Sequence, residues 1–405
     1  MFSFIDGGVT APQGFTAAGV HCGIRKNRQK RDLGLIVSDR PAAAAAVYTQ
    51  NLVKGAPLTV TRTHLADGTA RALICNSGIA NTCAADGIEK AEAMCAMTAE
   101  ALGLDAGDVL VASTGVIGPS INLEPIRAGL PGLVAELSAN GSHNCAEAIM
   151  TTDTRKKEFA VQLTLGGKAC ILGGIAKGSG MIAPNMATML CFLTTDAAID
   201  SALLQDALHE VVGDTFNMMT VDGDTSTNDM VVILANGAAG NAPLREKNAD
   251  YRQFVDALHE LAVEICRALA ADGEGATKLV ECRITGAASV PDARIAAKAV
   301  VSSSLMKAAM FGADANWGRA LCAIGYSGAA VDVKQVDMAF VSAAGRVEVC
   351  RGGAGIPFSE EEAKKVLTEP EITLDIRLHD GDAAATAWGC DLTYDYVKIN
   401  GDYRT

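Results

Sequence analysis

The run Lys177-Gly178-Ser179-Gly180-Met181-Ile182-Ala183-Pro184-Asn185-Met186-Ala187-Thr188-Met189-Leu190 constrains this chain more than any other stretch. Gly178 and Gly180 admit backbone conformations closed to other residues, while Pro184 fixes its own φ and restricts Ala183. A turn must therefore separate whatever precedes Lys177 from the apolar residues Met189 to Leu193. One reading of the run is a glycine-rich loop leading into a buried strand, with Thr188 a strand residue. The other reading is chemical. A threonine hydroxyl is a weak nucleophile until a base activates it, and a threonine at a new N-terminus carries that base as its own α-amine. Such an amine titrates near about 7.7 to 8.0, so a useful fraction is neutral at physiological pH. Attack by the Thr188 hydroxyl on the carbonyl of small Ala187 gives an ester by an N-to-O shift. Water then releases a chain that begins at Thr188.

Further motifs follow in order along the chain. Gly14-Phe15-Thr16-Ala17-Ala18-Gly19, Tyr48-Thr49-Gln50-Asn51 and Ala56-Pro57-Leu58 open the series, then Asn76-Ser77-Gly78-Ile79-Ala80-Asn81 and Ser113-Thr114-Gly115-Val116-Ile117-Gly118. Thr151-Thr152-Asp153-Thr154, Asp222-Gly223-Asp224-Thr225-Ser226-Thr227-Asn228-Asp229 and Asp272-Gly273-Glu274-Gly275-Ala276-Thr277-Lys278 continue it. Asp314-Ala315-Asn316-Trp317-Gly318-Arg319 and Ile399-Asn400-Gly401-Asp402-Tyr403-Arg404-Thr405 close it. Together with the segment from Lys177 to Asp196, this order resembles the glutamate N-acetyltransferase family, also called ornithine acetyltransferase, of the arginine pathway. The resemblance covers essentially the whole chain. It departs at Ala315, where the family more often carries proline, and at Gly401, where it more often carries alanine. Both residues are small and neither carries a reactive group, so only the local backbone is affected.

The resemblance implies that the precursor cuts itself between Ala187 and Thr188 into residues 1–187 and 188–405. The pieces stay together as one folded unit, with two copies of each in a heterotetramer. Thr188 then takes acetyl from N-acetylornithine, ornithine leaves, and glutamate removes the acetyl group as N-acetylglutamate, a ping-pong route through an ester. Thr114 and Gly115 are assigned to stabilise the oxyanion. Read without the family, Ser113-Thr114-Gly115 is a turn after the apolar strand Val109 to Ala112. Substrate binding carries over to Thr151, Lys177, Thr188, Glu274, Asn400 and Thr405. A cationic Lys177 suits a carboxylate and Glu274 suits the ammonium that sets ornithine apart, although Glu274, between two glycines, also reads as a solvated loop carboxylate. No cofactor and no metal are expected, and acetyl-coenzyme A is left open as a co-substrate. The rival within self-cutting proteins is an N-terminal-nucleophile amidohydrolase or aminopeptidase that gives the acyl group to water. A nucleotide-binding role for the glycines is weak, since no G-x-x-x-x-G-K-[ST] is present.

Bulk properties narrow the field further. A net charge of -13 argues against a nucleic-acid partner, because phosphate neutralisation needs a basic face. With 49% hydrophobic and 20% charged residues the chain can bury a sizeable core. The 12 cysteines include no C-x-x-C pair and mostly keep apolar company, so they read as free buried thiols in a reducing cytoplasm. No basic leader and no apolar stretch near the roughly 20 residues of a membrane span are present, which points to a cytoplasmic protein without membrane contact. Length suggests roughly two to three domains. Strand-like runs at Leu33 to Val37, Leu73 to Cys75 and Leu190 to Leu193 alternate with helical ones at Ile88 to Leu102, 200 to 212 and 251 to 271. Patterning supports a mixed α/β (α+β) content, and the resemblance implies stacked β-sheets flanked by helices.

Overall fold

The computed structural model describes residues 2–183 and 189–402. Ala187, Thr188 and Thr405 lie outside the described residues. The larger sheet holds β1 (Phe2–Ile5), β2 (Phe15–Val20), β3 (Leu33–Tyr48), β4 (Thr69–Ile79), β5 (Val109–Val116), β6 (Lys157–Leu165), β7 (Lys168–Lys177), β8 (Leu190–Thr195) and β9 (Met230–Ala235). Its order is β1-β6-β7-β8-β9-β3-β4-β5, with β2 also on β3. The smaller sheet holds β10 (Leu279–Ala287), β11 (Asp337–Ser342), β12 (Gly345–Arg351), β13 (Ala354–Gly355), β14 (Glu371–Arg377) and β15 (Ala383–Cys390), in the order β13-β12-β11-β14-β10-β15.

β3 determines how the larger sheet folds. It runs 16 residues, but its register shifts between Val37 and Ala42. Before the shift it pairs with β2 and β4; beyond it β4 stays paired through Ala42 and Ala43, and β9 pairs from Ala43 to Tyr48. The two halves of the sheet thereby fold over one another, and their inner faces share one apolar layer. Leu73, Cys75, Leu110 and Ala112 come from one half and Ile175, Leu190, Phe192, Met230 and Val232 from the other. Each fully buried side chain the size of Phe192 contributes about 1.5–3 kcal/mol. The outer face of the β4–β5 half is covered by helices Ala56–His64, Gly87–Leu102 and Leu123–Ala135 through Val60, Met94, Cys95, Ile126 and Leu130. The outer face of the β7–β9 half is covered by helices Ser201–Asp214 and Ala249–Ala271. Stacked sheets flanked by helices are thus what the chain forms.

The 23-residue helix Ala249–Ala271 joins the parts. Asn248 caps it by accepting from the Tyr251 N–H. Phe254, Leu258, Leu261, Ile265 and Leu269 recur at helical spacing and are all sealed from solvent. The helix touches β6 and β7 of the larger sheet and β10 and β15 of the smaller one. Its C-cap is Asp272, two residues short of Glu274.

The expected helices at 200 to 212 and 251 to 271 are present, and Asp200 caps the first of them by accepting from the Ala202 N–H. Two expectations need correction. Ser113-Thr114-Gly115 is no turn: β5 runs on to Val116 because β4 pairs with it, in parallel, as far as Ile79. The strand expected to stop at Val37 continues through Ala42–Ala46, where tertiary burial between β4 and β9 overrides the helical preference of alanine. Nine cysteines are buried and none is paired, while Cys83 and Cys322 are exposed. No single described helix is long and apolar enough to cross a membrane.

Candidate active site

The halves of the larger sheet bring their strand ends to one place. Lys177 is the last residue of β7, and Thr114 and Gly115 lie near the end of β5. Asn228, just ahead of β9, ties the halves together by donating to the carbonyls of Ala80 at 2.6 Å and Ser113 at 2.9 Å. Gly115 has φ +132°, and a Cβ there would stand 2.2 Å from the Gly78 carbonyl carbon, so only glycine permits this approach of β4 to β5. The Lys177 Nζ donates to the Thr114 hydroxyl at 3.4 Å, which leaves the hydroxyl's own hydrogen to serve another acceptor.

The long helix supplies the opposite wall. The Glu274 N–H donates to the Ser179 carbonyl at 2.8 Å and the Ser179 hydroxyl to the Asp272 carbonyl at 2.6 Å, stitching the loop after β7 to the helix end. At Gly180 a Cβ would meet the Glu274 carboxylate at 2.3 Å, so the loop passes directly over that group. Glu274 is buried rather than a solvated loop carboxylate. Its Oε2 accepts from Asn400 Nδ2 at 2.7 Å, on the C-terminal helix Tyr394–Gly401. Thr114, Gly115, Thr151, Lys177, Glu274 and Asn400 all line one cavity of about 140 Å³, together with Gly180, Met181 and Ser226. The described sequence-predicted residues therefore converge, whereas Ala187, Thr188 and Thr405 lie outside the described residues. A groove of about 470 Å³ adjoins the cavity at Gly115 and Thr151, and Arg25, Lys26 and Lys30 line it.

Charges below the cavity organise it. Lys157 is 1% exposed and donates to Asp153 Oδ1 at 2.7 Å and Asp272 Oδ2 at 2.6 Å. Asp153 also accepts from the N–H groups of Gly178 at 2.6 Å and Thr151 at 3.0 Å, so one carboxylate positions the loop on each side of the cavity. Burial pushes the Asp153 carboxyl up, but Lys157, Lys177 and these donors outweigh it and hold the group well below the usual aspartate range. Burial lowers the Lys177 ammonium below the ordinary lysine value, with Asp153 opposing. Asp229 lines a smaller recess of about 30 Å³ with Thr114, Lys177 and Met189. It is 2% exposed, and its Oδ2 has no hydrogen-bond partner. Burial drives its carboxyl well above the aspartate range. Among the described residues no cluster of three or more His, Cys, Asp or Glu could hold a metal ion.

Sequence reasoning assigned no role to Asp153, Lys157, Asn228, Asp229 or Asp272. All but Lys157 stand in the polar blocks at 151–154, 222–229 and 272–278, and such blocks in an apolar chain were the available signal. Lys157 had none, since a lysine in a strand ordinarily reads as exposed.

The cavity is small and polar, with a cation and a hydroxyl on one wall and a carboxylate–amide pair on the other, in an α/β fold. A model of the ArgJ family matches residues 16–405. The arginine biosynthesis bifunctional protein ArgJ of Symbiobacterium thermophilum is 52% identical over 404 residues, covering 99% of this chain and 100% of its own. Its counterpart in Bacillus subtilis is 48% identical over 403 residues, covering 99% and 97%. The chain belongs to the ArgJ family. Among solved structures, arginine biosynthesis bifunctional protein ArgJ from Bacillus halodurans is 46% identical over 52% of this chain and 97% of its own, with a TM-score of 0.49.

Proposed function

We propose that this enzyme moves acetyl from N-acetylornithine to glutamate in arginine biosynthesis, through an ester on Thr188 that becomes available once the chain has cut itself between Ala187 and Thr188. The observation that carries the reading is the convergence of Thr114, Gly115, Thr151, Lys177, Glu274 and Asn400 on one cavity of about 140 Å³. Lys177 and Met189 flank the run that contains Thr188, and both line the adjoining recess. In each half-reaction a carbonyl carbon bound to the leaving group gains the attacking oxygen or nitrogen. The negative charge that develops on its oxygen is met by the Thr114 hydroxyl and the Gly115 N–H. Lys177 pairs with the substrate carboxylate, and Glu274, steadied by Asn400, with the distal ammonium of ornithine.

Acetyl-coenzyme A is the second donor in this reading. The relatives' name, bifunctional, supports it, as does the groove at Gly115, where Arg25, Lys26 and Lys30 suit an anionic carrier. Residues 1–187 and 188–405, two of each, form the mature cytoplasmic heterotetramer.

The test compares wild type with Thr188→Ala by intact mass and by acetyl transfer. From 41.8 kDa over 405 residues, the cut predicts pieces of about 19 and 23 kDa by length proportion. Wild type should yield both pieces and form N-acetylglutamate when glutamate is supplied; Thr188→Ala should stay one inactive chain. Consumption of N-acetylornithine at the same rate with and without glutamate would make the protein a hydrolase instead.

A further inference from the structure

The loop that leads from the cavity toward the cut is held by more hydrogen bonds than a connecting loop requires, and one side chain accounts for two of them. Asp222 Oδ2 accepts from the N–H of Met181 at 2.7 Å, and Asp222 Oδ1 from the N–H of Ile182 at 2.8 Å. The Ile182 carbonyl accepts from the Val221 N–H at 2.7 Å and the Thr220 hydroxyl at 3.0 Å, and the Ala183 carbonyl from the Thr225 hydroxyl at 2.8 Å. Met181 sits at φ +55°, the left-handed region that a residue with a long side chain enters only when its surroundings force it. Downstream of the cut, the Met189 carbonyl accepts from the Met230 N–H at 2.9 Å, and Leu190 pairs with Met230. Both sides of the bond between Ala187 and Thr188 are thus anchored to the single stretch 220–230. Asp222 does not itself line the cavity, although Met181, which it holds, does, and the Tyr396 hydroxyl on the helix that carries Asn400 also donates to Asp222 Oδ2 at 3.2 Å.

We propose that Asp222, with Thr225 beside it, is a positioning residue for the self-cleavage between Ala187 and Thr188, because it fixes residues 181–183 on the same stretch, 220–230, that holds Met189. The proposal rests on the reading of Thr188 as a self-cutting nucleophile. In that step the Oγ–C bond forms as the Ala187–Thr188 C–N bond breaks, and the hydroxyl proton ends on the Thr188 nitrogen. Water then adds at the ester carbon, leaving a carboxylate on Ala187 and restoring the hydroxyl. Orientation is the main lever on such an intramolecular attack, because the reactants are already joined by the chain.

The experiment follows the appearance of cut chain in full-length wild type, Asp222→Ala and Thr225→Val by denaturing gel and intact mass. Acetyl transfer is measured alongside and divided by the amount of cut chain. Both variants should cut about tenfold or more slowly, with transfer per cut chain within about twofold of wild type. Thr225→Val keeps the side-chain shape, so it tests the clamp even if Asp222→Ala fails to fold. Cutting at the wild-type rate in Thr225→Val and in folded Asp222→Ala would overturn the proposal. Slower cutting with an equal fall in transfer per cut chain would also overturn it, by making Asp222 part of the general active-site scaffold. A wild type that never cuts would instead sink the self-cleavage reading itself.

Discussion

Asp153 and Asp229 are both sealed from solvent and both feel the ammonium of Lys177, yet the fold surrounds them differently. Asp153 receives the Lys157 ammonium and the N–H groups of Gly178 and Thr151. Asp229 keeps one oxygen without a hydrogen-bond partner, in a recess of about 30 Å³. A buried carboxyl with several donors is held toward its ionised form and acts as a fixed charge that places loops; burial with an unmet oxygen pushes a carboxyl toward its protonated form. The largest effect that would break this contrast is removal of the donor that Asp153 shares with Asp272. Lys157→Met leaves two carboxylates facing each other in the interior, and breaking a buried pair in this way costs about 3–5 kcal/mol. Denaturant unfolding should show the midpoint falling with little change in slope. A loss below about 1 kcal/mol, the scale of an exposed ion pair, would mean that these groups are not buried charges.

The second test uses acid and Asp153→Asn. The folded pKa of Asp153 lies below its unfolded value of about 3.9, so its contribution is fully present above that pH and is lost as pH falls through the folded value. Asparagine cannot ionise, so Asp153→Asn should flatten that acid arm. At neutral pH it should lose about 1–3 kcal/mol, because the Lys157 ammonium keeps one fewer anionic partner. An acid arm identical to that of wild type would assign the loss to other carboxylates.

The contrast between the two aspartates was not readable in the sequence, although much around them was. Thr114, Gly115, Lys177, Glu274 and Asn400 could be named because motifs in chain order pointed to them, and the helix Ala249–Ala271 because its apolar residues recur at 3.6-residue spacing. Whether Glu274 is solvated depends on Gly180 passing over it and on Asn400, 126 positions away, and no local pattern records such a meeting. The course of β3 was hidden for a related reason. Its alanines favour helix locally, and only pairing with β4 and β9 makes them strand. Asp153 and Asp229 look alike in sequence, each beside small polar residues; Asp153 takes donors from nearby Thr151 and Lys157 and from Gly178 in the loop after β7, whereas one oxygen of Asp229 meets none, and composition alone does not separate the two.

The smallest predicted effect is therefore the most discriminating. If Asp229 carries its proton in the folded state, the amide of Asp229→Asn has nearly the shape and hydrogen-bonding capacity of the group it replaces, and no buried charge is lost. Stability at neutral pH should stay within about 1 kcal/mol of wild type, against the larger loss for Asp153→Asn. The pH dependence should carry the opposite sign as well. Because the folded pKa of Asp229 is raised, the unfolded chain gives up this proton first. Wild type then loses stability as pH climbs from about 4 toward the folded value, and full stability from this group is present only below about 4. Asp229→Asn should not show that decline, so its unfolding free energy should gain on wild type between acid and neutral pH. If the substitution instead costs as much at neutral pH as Asp153→Asn, the Asp229 carboxylate is ionised, and Lys177 rather than a retained proton compensates its unpartnered oxygen.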